Sequence, residues 1–171
     1  MHRLAIFLTL LGGLLLPNIT VAQQAASDPE PGAGVCTFAD GKQLTVRYNR
    51  VVADPKKDLP AGKLWATGGD PMNLFTETEL TVGNAQLPIG AYSMYIIPAK
   101  DNWTLIINKN VVAGSPYDEK QDLVRVQMPT GKLPKPEDQL FVYMGHIAPK
   151  RCEMRVDYGK IRADGIEFNE K

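Results

Sequence analysis

The chain has 171 residues, 44% of them hydrophobic, and its 19 Lys+Arg are balanced by 19 Asp+Glu. That length suits one domain able to bury a core without help from metals or many disulfides. The charge balance removes the electrostatic motive for nucleic acid or anionic lipid as a partner.

In chain order, residues 1–22 read as a cleavable signal peptide. Met1-His2-Arg3 is a short basic start, Leu4 to Leu16 an apolar run, Pro17 a breaker, and Thr20-Val21-Ala22 supplies small residues for cleavage. The run falls short of the roughly 20 residues that span a bilayer. A removed leader, no membrane insertion after cleavage and a periplasmic or secreted product are therefore expected. Residues 23–34 (QQAASDPEPGAG) are rich in Pro and Gly and read as a flexible lead-in, which leaves 35–171 as the folded domain.

From Val35 onward the signals are those of strands. Val35–Phe38 and Gln43–Arg50 flank Asp40-Gly41, a hairpin signal. Leu44, Val46 and Tyr48 share one face of the second strand, with Thr45, Arg47 and Asn49 on the other. Leu74–Val82 alternates as one long strand, turned by Gly83-Asn84, and Ala91–Pro98 follows. Trp103–Asn108 is apolar on both faces and is expected to be central. Leu123–Met128 leads into a Pro-rich turn over Pro129–Pro136, and Leu140–His146, Arg151–Tyr158 and Lys160–Phe168 complete the set. No stretch keeps a 3.6-residue apolar period for three turns. The fold class predicted is all-β: a single β-sandwich-like or barrel-like domain of eight or nine mostly antiparallel strands.

Two cysteines lie beyond the leader. An even count in an oxidising compartment predicts a disulfide, Cys36 to Cys152. Cys152 alternates with Met154, Val156 and Tyr158, and Cys36 shares a face with Phe38, so both thiols point inward.

Catalytic sets are sparse. His146 is the one histidine outside the leader, whereas a catalytic zinc usually takes three protein ligands; no metal and no cofactor are expected. Ser93 lies within a strand and reads as packed rather than nucleophilic, and no G-x-S-x-G elbow is present. Glu77 and Glu79 share a face, but it is the solvent face of an alternating strand. Asp118, Glu119 and Asp122 lie in an irregular loop, where sites concentrate, although Asp118 also suits a turn cap with Arg125 as its ion-pair partner. Trp103 alternates with Leu105 and Ile107 as core. Trp65, beside Gly68-Gly69, is the aromatic best suited to a ligand surface.

The middle of the chain carries a family resemblance. Leu87 to Pro98 (LPIGAYSMYIIP) resembles the LPAGTYSLFTIP signature of a bacterial exported family catalogued as domain of unknown function 2911. Asn102 to Lys109 is similar to its EWTVIFNKD, Tyr117 to Val126 to its YDEKKDxLRV, and Gly62 to Gly68 to the start of its GKVWRTGANEAT box. The box's Arg falls on Ala66, and its Asn-Glu on Asp70-Pro71. The resemblance implies an exported β domain and no particular reaction.

The function expected is therefore a non-catalytic exported domain that binds a small ligand or an envelope partner, at a site around Trp65, Thr67, Asp70, Tyr117, Asp118 and Arg125. A small hydrolase using Asp118 and Glu119 is the alternative, and a structural partner of another envelope protein the third. On the leading reading, alanine at Asp118 or Trp65 abolishes binding without moving the melting temperature.

Overall fold

The computed structural model describes residues 30–65 and 70–171; the leader, residues 23–29 and Thr67 lie outside the described residues. Strands β1 (Glu30–Thr37) and β2 (Gln43–Arg50) form the expected hairpin. Gly41 takes φ 92° at its turn, a value few L side chains adopt, and Asp40 Oδ1 accepts from Lys42 N at 3.0 Å.

The first strand begins earlier than expected: residues 30–34, assigned to the lead-in, are the first five of its 8 residues. Composition misled here because the glycines serve packing. Cβ atoms placed on Gly32 and Gly34 would lie 2.5 Å from the Tyr48 ring and 3.0 Å from the Val142 carbonyl oxygen. Pro31 is tolerated because β1 ends the sheet, where proline costs least.

The remaining strands are β3 (Met72–Thr76), β4 (Leu80–Val82), β5 (Ala85–Leu87), β6 (Gly90–Ile97), β7 (Asn102–Asn108), β8 (Asp122–Lys132), β9 (Phe141–Ala148), β10 (Arg151–Tyr158) and β11 (Ile161–Glu170). All pairings are antiparallel, in the order β1-β2-β3-β6-β7-β8-β11-β10-β9, with the β4–β5 hairpin attached to β11. The sheet curls until its two ends, β1 and β9, meet, and the domain is nearly a barrel. At that seam Arg50 lies 5.6 Å from the centre of the Phe141 ring. The predicted disulfide, Cys36–Cys152, ties β1 to β10 with a Cα–Cα distance of 6.2 Å.

Two strand boundaries differ from the sequence reading. Leu74–Val82 is not one strand: the chain turns a corner at 77–79 and moves from β2's neighbour to β11's. Thr76 Oγ1 donates to Thr78 O at 2.6 Å and fixes that corner, while Thr76, Thr78, Leu80 and Val82 all stay buried. In turn, β8 runs through Pro129 to Lys132, because beyond Pro129 it leaves β7 and pairs with β11.

Inward side chains fill the interior, with Leu44, Met72, Leu74, Met94, Trp103, Leu105, Met154 and Phe168 among the fully buried ones. Strand β7 is buried on both faces, as expected; Ile106 and Asn108 on its outer side are fully buried, and the following loop reaches back to Asn108. Among the described residues no helix is long and apolar enough to cross a membrane.

Candidate functional site

Cross-strand register creates the site. Arg47, Asn73, Ser93, Asn108 and Asp122 lie directly opposite one another across β2, β3, β6, β7 and the start of β8. Each belongs to the outward set of its strand, so a polar row crosses the outer face of an otherwise apolar-cored sheet.

Residues 109–121 fold back over one half of this row. Ser93 Oγ donates to Asn110 O at 2.6 Å, and Asn108 Nδ2 donates to Asp118 O at 2.9 Å. Asp122 is the hub. Its Oδ1 accepts from Asn108 Nδ2 at 2.7 Å, and its Oδ2 accepts from Tyr117 OH at 2.7 Å and Arg125 Nε at 2.8 Å. Tyr117 packs edge-on against Tyr95, 4.9 Å between ring centres. Asp118 caps the 3-10 turn Glu119–Gln121, accepting from Lys120 N at 3.0 Å. Arg125 pairs with Asp122 and Glu119, at 2.8 and 3.1 Å, where the sequence reading had paired it with Asp118. The register shift at Ile107/Asn108 brings Asp122, not Leu123, opposite Asn108, while Asp118 stays in the loop.

Burial, then the Asp122 hydrogen bond and charge, push the Tyr117 pKa up to about 12, with Arg125 opposing. An unfolded tyrosine titrates near 10. The folded state thus holds this proton more tightly, so its contribution to stability is intact below pH ~10 and is lost as pH rises through 12. A tyrosinate absorbance titration should show one residue ionising last of all, together with unfolding of the loop. That late step should be missing in Tyr117→Phe; its persistence there would assign it elsewhere.

The other half of the row is left open. Between it and the loop tip lies a cleft of about 520 Å³, floored by Arg47, Asn73 and Ser93, with Asp70 on one rim and Val111 and Val112 on the other. Small-ligand sites have this size. Asn110 shapes the tip by accepting from Val112 N at 3.2 Å and donating to Ser115 Oγ at 2.7 Å.

Of the six residues the sequence grouped, Thr67 lies outside the described residues, and the structure separates the other five. Asp70 borders the cleft. Tyr117, Asp118 and Arg125 sit behind its wall and fasten it. Trp65 lies at the end of the barrel where β6 finishes: its backbone N–H donates to Ile96 O at 2.7 Å, and its ring packs edge-on against Trp103 and Tyr158, at 5.9 and 5.0 Å. At that mouth a second hollow of about 420 Å³ is lined by Asp54, Leu59, Pro136 and Tyr158. With these contacts, alanine at Asp118 or Trp65 should lower the melting temperature, where the sequence alone leads one to expect no change; a thermal melt of each variant distinguishes the two. Arg47 and Asn73 were missed, because alternation marks them only as outward and the register that unites them spans strands far apart in the chain.

A family model described as a protein of unknown function (DUF2911) matches residues 31–164. The chain belongs to this family. The DUF2911 match runs from β1 into β11, beyond the Gly62–Val126 core of the resemblance, and takes in both walls of the cleft. No curated protein and no solved structure matches the chain.

Proposed function

We propose that this DUF2911 protein is an exported binding domain that takes a small polar ligand in the outer-face cleft between β1–β3 and the 109–121 loop. The observation that carries the reading is the division of labour along one polar row. Its Asn108–Asp122 half is consumed in fastening the loop. Its Arg47–Asn73 half faces the cleft, and among the described residues the Asn73 side chain makes no hydrogen bond. The leader-like N-terminus and the buried disulfide support export to the periplasm or beyond.

A thermal-shift panel of amino acids, short peptides, dicarboxylates and small sugars on the oxidised protein tests this. Ligand at 100 times its Kd adds about 2.7 kcal/mol, a rise of several degrees at this size. Asn73 is outward and partly exposed, so Asn73→Ala should keep the unliganded melting temperature and lose the ligand-induced rise. An undiminished rise in that variant places the ligand elsewhere and overturns the reading.

A further inference from the structure

The two charged groups bordering the cleft, Arg47 and Asp70, are of opposite sign, and neither is in an ion pair among the described residues. Opposite charges that share one small cleft without meeting leave both free for a ligand that carries both signs. We propose that the cleft takes a zwitterion, a free amino acid or short peptide, with its carboxylate on Arg47, its ammonium group at Asp70 and its apolar side chain on Val111 and Val112. This rests on the cleft being the binding site.

Three features support the assignment. First, the Arg47 guanidinium lies 5.2 Å from the centre of the Phe75 ring. A ring accepts no conventional hydrogen bond from the guanidinium, so the N–H fork is left for a planar acceptor, which a carboxylate matches with two parallel bonds. Secondly, the neighbouring Asn73 amide, directly opposite Arg47 in the sheet, offers both a donor and an acceptor for a peptide group or a second carboxylate oxygen. Thirdly, Val111 and Val112 are 47% and 69% exposed at the tip of a loop whose base is tightly fastened. Two valines held out beside a polar floor form an apolar wall that a purely polar ligand such as an anion would not use.

Competing features are weaker. Arg155 and Arg162 on the outer face of β10–β11 already flank Asp157, at 3.2 and 3.5 Å. The Phe141–Tyr143 pair beside them is already stacked by Arg50 and Arg155.

The test uses valyl-valine as probe, with its N-acetyl and C-amide forms, each titrated into the oxidised protein while backbone amide shifts are followed. The free dipeptide should perturb Asn73, Val111 and Val112, and blocking either end should weaken binding about fivefold or more, the scale of a partly exposed ion pair. In Arg47→Gln the acid and its amide should bind alike; in Asp70→Asn the free and acetylated amines should bind alike. If blocked and free forms bind equally to the wild type, or if a small sugar perturbs the cleft while no dipeptide does, the zwitterion assignment is overturned and the cleft reading stands. If no compound of either kind perturbs these amides, both fall.

Discussion

Reduction of Cys36–Cys152, or its replacement by alanines, should lower stability by about 4–5 kcal/mol, because the bridge closes a loop of 116 residues. For a domain of this size that is on the order of a 10–20 °C fall in Tm. The position of the bridge predicts where the loss appears first. Strands β1 and β9 are the two ends of the sheet and share no ladder. The seam between them is held by side-chain packing, by this tie and by a few backbone bonds at its ends, such as Ala39 N to Pro149 O at 3.0 Å and Leu140 N to Val51 O at 2.8 Å. Amide exchange in β1 and β9 should accelerate on reduction well before exchange in β6, β7 and β8, which keep partners on both sides. Denaturation monitored with and without reductant checks the magnitude. Uniform acceleration across all strands would show that the bridge acts only through the unfolded chain.

Asp122→Ala should cost about 2–3 kcal/mol and detach the cleft wall. It removes the acceptor shared by Tyr117, Arg125 and Asn108, and losing a largely buried acceptor leaves its donors with part of their desolvation cost uncompensated. The figure is held down for two reasons. Arg125 is 40% exposed and rehydrates, and Asn108 keeps its bond to Asp118 O. The second consequence is local: amides of residues 110–117 should lose exchange protection, and the ligand-induced thermal shift should fall with them even though Asp122 lies outside the cleft. Unchanged protection in that segment would mean that Ser93 and Asn110 hold the loop by themselves.

Much of the fold is legible one strand at a time. The Asp40-Gly41 turn, the inward Cys36 and Cys152, and the doubly buried β7 all follow from alternation and turn chemistry, which act within a few residues. What escaped depends on relations between strands. Gly32 and Gly34 look like linker until Tyr48 and the Val142 carbonyl are found against them. The corner at Thr76–Thr78 preserves the inward alternation, so periodicity cannot reveal that the chain changes neighbours there. The same limit hid the site. Tyr117 and Asp118 stand out by their loop and Arg125 as a charge beside it, yet their roles follow from the register shift that places Asp122 opposite Asn108. The floor residues Arg47 and Asn73 are adjacent only once β2 and β3 are aligned.

The most direct test of the cleft as binding site is backbone amide shift mapping with whichever compound raises the melting temperature of the oxidised protein. The account predicts perturbations concentrated at Arg47, Asn73, Ser93, Val111 and Val112. Perturbations gathered instead around Trp65, Leu59 and Tyr158, at the barrel mouth, would contradict it.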